Sequence, residues 1–172
     1  MNSYDPTTLR TLLEEARLIL GKQLATADSH DTKAGIVIGA ASLASAWLSG
    51  TQGALWALAI ALEICSVFPL TLLVIAIALY VLAVYCAFRA ILMREFAIGS
   101  LELSTGELKG HYVGLSLQDL HFRLLKQYAD AYAENQSALT IKAKYLRHSI
   151  ILLAVEVIYL VTLTLLTQAF AR

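Results

Sequence analysis

Between Ala34 and Phe88 only one side chain, Glu63, carries a formal charge, and between Ile150 and Ala171 only Glu156 does. One membrane crossing needs about 20 consecutive apolar residues, so the first run is more than twice that length and the second just reaches it. Backbone N–H and C=O groups in such runs cannot rely on water, and helices satisfy them internally. The chain is therefore expected to be all-α: an integral membrane helical bundle with about three transmembrane helices and a helical cytosolic portion. Hydrophobic residues make up 58% of the 172 positions, above the usual share of about 45–50% in soluble domains.

The remaining sequence divides around these runs. Asp5-Pro6 reads as an N-cap with proline at the first helical position. Leu9, Leu12, Leu13, Ala16, Leu20 and Leu24 then recur at helical spacing. Residues 1–33 are expected to form a cytosolic amphipathic helix, about Pro6 to Ala27, and a polar linker, Asp28 to Lys33. The near balance of acidic and basic groups favours packing on another helix over lying on the membrane surface. Residues 34–93 form a transmembrane hairpin, with crossings at Ala34–Gly50 and Pro69–Leu92 separated by a break at Ser49–Gly53. Gly35 and Gly39 make a GxxxG pair, which permits close approach of a neighbouring helix.

Residues 94–148 hold a loop through Gly114 and a long helix starting near Ser116-Leu117-Gln118-Asp119. No Gly or Pro follows before the final crossing, 149–172. A stripe of Leu125, Ala129, Tyr132, Gln136, Leu139, Ala143, Leu146 and Ile150 predicts the packed face of that helix. Four Lys and Arg precede Ala34 and seven lie between Arg94 and His148. With both segments cytoplasmic, the region between them crosses an even number of times. Two crossings there, three in all, place the N-terminus in the cytoplasm; four in all would leave one basic segment outside.

Formal net charge is zero, which gives no general attraction to nucleic acid. Cys65 and Cys86 lie in the apolar run and read as small hydrophobes. The four histidines show no metal-ligand spacing, and no phosphate loop, nucleophile elbow or paired-carboxylate motif is present. The reading is a non-enzyme with no catalytic residue, no metal and no cofactor. Ionisable groups at membrane depth stand out instead, because they mark pathways or internal partners. Glu63, Arg89 and Glu156 are these. Arg89 and Glu156 could pair inside one bundle, Glu156 could instead be protonated there, or Glu156, with or without Glu63, could line a pore formed by several subunits. A second cluster of candidates is polar and cytosolic: Asp31, Lys33, Asn135, Lys142 and Lys144.

Asp31-Thr32-Lys33-Ala34-Gly35 resembles the D-x-K-A-G/S entry to the first membrane helix of the Pycsar transmembrane effectors. His111-Tyr112-Val113-Gly114 is similar to that family's aromatic–glycine step before a long helix. The order of parts also matches, including a lysine such as Lys142 or Lys144 on the polar helix before the last crossing. The family's Pro-Arg at the end of the second crossing is absent, with Arg89 or Arg94 as candidates for its place. The resemblance implies a bacterial antiphage effector of the inner membrane, multi-pass and homo-oligomeric. It implies activation by cyclic UMP or cyclic CMP from a partner cyclase, followed by disruption of the lipid bilayer. From the residues alone, a constitutive small channel or transporter subunit and a non-conducting membrane adaptor stay open.

Overall fold

A computed structural model describes residues 6–61, 67–92 and 115–170. The described residues form three helices: α1 (Pro6–Ala61), α2 (Val67–Leu92) and α3 (Leu117–Phe170). The fold is all-α, and each helix contains a stretch long and apolar enough to cross a membrane. The chain divides into two compact units, one of Met1–Ser29 with Arg94–Ile141 and one of His30–Met93 with Lys142–Arg172.

In the first unit, α1 buries Leu9, Leu20, Gln23 and Ala27, and α3 buries Tyr128, Ala131, Asn135, Ala138 and Leu139. Leu20, Tyr128 and Ala131 form a cluster against Leu13, Ala16 and Leu124. Steps of three and four on both helices are the spacing of a coiled-coil seam. Polar side chains fix its register. Arg17 Nε donates to Tyr128 Oη at 3.3 Å, and Gln23 Nε2 donates to the Tyr132 carbonyl and Gln136 Oε1 at 3.3 Å each. The amphipathic start of the chain thus packs on another helix, as its charge balance predicts. At the head of α3, Ser116 Oγ accepts from the Asp119 N–H at 3.1 Å and donates to the Asp119 carboxylate at 2.6 Å. That reciprocal cap explains why the helix begins there.

The second unit is a three-helix bundle with seams of small residues. Ala34 and Val37 on α1 meet Ala87 and Ala90 on α2 and Leu146 on α3. Further along, Ala44 and Leu48 meet Ala76 and Leu160. Rising numbers on α1 therefore meet falling numbers on α2 and rising numbers on α3, so α2 is antiparallel to α1 and α3 parallel to it. On α2 the buried set Pro69, Ala76, Ala83 and Ala90 recurs every seven residues. Small seam residues let helix backbones approach where lipid supplies no hydrophobic drive. The outer faces carry Ile36, Leu43, Leu70, Val74, Val81, Leu92, Val155, Ile158 and Leu165, all exposed. So dense an exposed apolar surface belongs against lipid tails rather than water.

Three expectations change. The polar stretch Asp28–Lys33 is no linker, and Ser49–Gly53 is no break: α1 runs through both. In the second case the hydroxyls of Ser49 and Thr51 bond to the carbonyls of Ser45 and Leu48 on the same helix, so the polar residues stay compatible with it. On α3 the packed face is rotated from the predicted stripe. Leu139 and Leu146 are buried, but Ala129, Tyr132, Gln136, Ala143 and Ile150 are exposed. The face turned inward instead carries Asn135, Lys142, Ser149 and Glu156, polar residues that a search for apolar periodicity passes over. The expected loop through Gly114, and Glu63, Cys65, Arg94 and His111, lie outside the described residues. Gly35 and Gly39 sit on the exposed side of α1, where an added Cβ would meet nothing within 4 Å.

Candidate functional site

The second unit joins two of the five polar candidates. Lys142 Nζ donates to both carboxylate oxygens of Asp31, at 2.7 and 3.0 Å. The two partners are unequally buried, the lysine side chain being 3% exposed and the aspartate 38%. The pair ties α1 to α3 immediately before Ala34, where the apolar stretch of α1 starts. This contact is compatible with a helix through Asp28–Lys33. Held as helix, the segment turns Asp31 toward Lys142 and Ala27 and Ala34 into their seams, while Asp28, Thr32 and Lys33 stay exposed.

His30 belongs to the same site, and nothing in the sequence singles it out. It is half-buried, and its Nδ1 has no hydrogen-bond partner among the described residues. Burial, then the charges of Lys33 and Lys142, hold its pKa below the usual 6.5, with Asp31 opposing. The sign follows from linkage. The unfolded chain takes up a proton at His30 as pH falls through about 6.5, while the folded chain resists until its own lower value. Stability present above pH 6.5 is therefore lost on acidification. His30→Gln is expected to flatten this loss in detergent melting curves taken between pH 7.5 and 5.5. Parallel curves for the two proteins would remove His30 as its source.

The other polar candidates do not join this pair. Lys33 and Lys144 are exposed; the Lys144 carbonyl lies 2.6 Å from His148 Nδ1. Asn135 belongs to the first unit, where it is buried. Among the intramembrane candidates, Arg89 is exposed with its guanidinium 5.7 Å from the centroid of the Tyr145 ring, within cation–π range. No ion pair links it to Glu156 among the described residues. Glu156 is 1% exposed inside the bundle.

Asn135, Lys142, Ser149 and Glu156 fall at intervals of seven on α3, and all four are buried. In the sequence this interval is a polar column through an increasingly apolar helix. Chemically, the site at its centre offers one buried ammonium whose charge is balanced by a carboxylate on another helix. An ammonium of this kind is chemically able to hold an anionic oxygen group as a point charge, and its partner Asp31 is partly exposed. Among the described residues no group of His, Cys, Asp and Glu is placed to share a metal ion.

No protein-family model, curated protein or solved structure matches the chain.

Proposed function

We propose that this chain is a bacterial inner-membrane effector that permeabilises the bilayer when a cyclic pyrimidine mononucleotide, cyclic UMP or cyclic CMP from a partner cyclase, binds on its cytoplasmic side. The resemblance at Asp31-Thr32-Lys33-Ala34-Gly35 supplies the ligand class and the setting of antiphage defence. The observation that carries the reading is the pair of buried Lys142 with Asp31, formed between that motif and the polar stretch of α3. In this reading the chain crosses three times with its N-terminus in the cytoplasm and acts as a homo-oligomer.

The proposed trigger is an exchange of anions. A cyclic mononucleotide carries one phosphodiester charge, equal to that of the aspartate it displaces. Lys142 keeps a counter-charge throughout, while the tie between α1 and α3 is released. A ligand shifts such an equilibrium only by its differential affinity for the two arrangements. Competition with Asp31 provides that difference, because the phosphate gains Lys142 only when Asp31 has left. Release at Lys142, midway along α3, is transmitted toward the last crossing by a helix unbroken from Leu117 to Phe170.

Calorimetric titration of the detergent-solubilised protein with cyclic UMP, cyclic CMP and cyclic AMP tests this. One pyrimidine nucleotide is expected to bind, with affinity reduced at least about tenfold by Lys142→Met, equivalent to about 1.4 kcal/mol. Unchanged affinity in that variant would exclude Lys142 as the receptor. Binding of neither pyrimidine nucleotide would remove the effector reading.

A further inference from the structure

The buried column on α3 continues past the ion pair into the apolar bundle and ends at a carboxyl group. Glu156 Oε2 is buried and has no hydrogen-bond partner among the described residues. Nor do the described residues of the bundle supply a counter-charge there. From Ala34 to Gly53, α1 has no ionisable side chain. The ionisable groups of α2 are Tyr80, Tyr85, Cys86 and Arg89, and Arg89 is exposed over Tyr145. On α3 the nearest are His148 and Arg147, both exposed, and Tyr159, which donates to the Leu72 carbonyl at 2.8 Å. A bare carboxylate is not stable in such surroundings; the group holds a cation or is neutral.

The surroundings also decide which cation. A metal ion of the alkali or alkaline-earth kind needs a shell of several oxygens. The buried hydroxyls of the same helix are already turned to its backbone: Ser149 to the Leu146 carbonyl and Thr167 to the Thr164 carbonyl. Among the described residues no second His, Cys, Asp or Glu is placed to share a metal ion with Glu156, so the carboxyl is suited to hold a proton. The bundle's seams carry short residues, with Ala41, Ala44, Ala76 and Ala83 all buried, and Ala44 and Ala76 pack with Leu160, one turn past Glu156. A slight parting of these seams makes room for water beside the carboxyl, whereas wider passage would require the whole bundle to separate.

We infer that Glu156 is an intramembrane proton-binding site and that the species carried through the bundle is the proton. This rests on the reading of the chain as a membrane-permeabilising protein and narrows it to one permeant. Glu156 rests as the protonated acid; its O–H bond breaks to water on one side, and the carboxylate so formed takes a proton from water on the other, which restores the resting acid. The path lies within one protomer, since Glu156 is enclosed by that protomer's own helices. This differs from the expectation of a carboxyl lining a pore between subunits.

The test uses the full-length protein in liposomes with an internal pH dye and a potassium diffusion potential set by valinomycin. Cyclic UMP or cyclic CMP is added or withheld, and release of entrapped carboxyfluorescein is followed in parallel. Proton influx in wild type is expected at least about tenfold above protein-free vesicles, with Glu156→Gln returning it to near the protein-free rate. Glu156→Asp, which keeps the carboxyl, should retain part of the flux. A hydrophobic carbodiimide applied to the wild-type protein provides an arm free of folding effects: it should block the flux and leave an adduct mapped to Glu156. Equal flux in wild type and Glu156→Gln, or carbodiimide treatment without block, overturns the inference. Dye release that is ligand-dependent and indifferent to Glu156 overturns it while leaving the effector reading intact. Absence of both proton flux and dye release overturns both.

Discussion

Replacing Asp31 by alanine is expected to destabilise the protein by about 2–3 kcal/mol, and replacing Lys142 by methionine by about 1 kcal/mol or less. The asymmetry follows from unequal burial. Alanine at position 31 removes the carboxylate that receives two hydrogen bonds from a lysine only 3% exposed. The ammonium left behind is inside and has lost this carboxylate, and breaking a buried pair by removing one partner is the costly case. Methionine at position 142 removes the charge itself and fills the space of the lysine methylenes. The aspartate left behind is 38% exposed and is hydrated where it stands. Unfolding in mixed micelles, with both variants measured under one condition, gives the two values. Equal losses would mean that Lys142 is less buried in the bilayer-inserted protein. Reversing the pair, with Asp31→Lys and Lys142→Asp together, should recover less than half of the loss, because the carboxylate then occupies the drier place.

The second large effect concerns the alanine seam. Ala83→Leu should cost about 2–3 kcal/mol, since three added heavy atoms must enter a position with no exposed surface. Ala83 is fully buried, and α2 presents alanine at every seventh position from Ala76 to Ala90. Its neighbour Leu82 is half exposed on the outer face, so Leu82→Ala should change stability by no more than about 0.5 kcal/mol. Hydropathy scales rank the two changes the opposite way, as a gain and a loss of apolar bulk. A melting experiment in detergent that finds Leu82→Ala the more harmful would overturn the assignment of the inward face of α2.

These contrasts show where the sequence is transparent. Runs without charge identify the membrane segments because bilayer thickness sets their length, and α2 begins and ends close to the expected Pro69–Leu92. The uninterrupted α3 is legible from the absence of Gly and Pro, and its start from the Ser116–Asp119 cap. The continuity of α1 is not legible. Its polar stretch packs through Asp31 against Lys142, a partner 111 residues away, and no local pattern encodes such a contact. The inward face of α3 is hidden for a related reason. Periodicity searches weigh hydrophobic residues, whereas this helix buries Asn135, Lys142, Ser149 and Glu156. Of the candidate residues, Asp31 and Lys142 come together, Lys33 and Lys144 stay at the surface, and Arg89 takes the Tyr145 ring in place of Glu156. The GxxxG glycines face outward with open space above them, so inside one protomer they do no packing.

The most direct test of the effector reading is release of a self-quenched dye or of protons from liposomes containing the purified protein, with cyclic UMP, cyclic CMP, cyclic AMP or no ligand added. Permeability that rises with one pyrimidine nucleotide, not with cyclic AMP, and is lost in Lys142→Met is the predicted result. Permeability that is the same with and without any nucleotide would identify a constitutive channel. None under any condition, in protein whose insertion is verified, would leave a non-conducting membrane adaptor and contradict the effector reading.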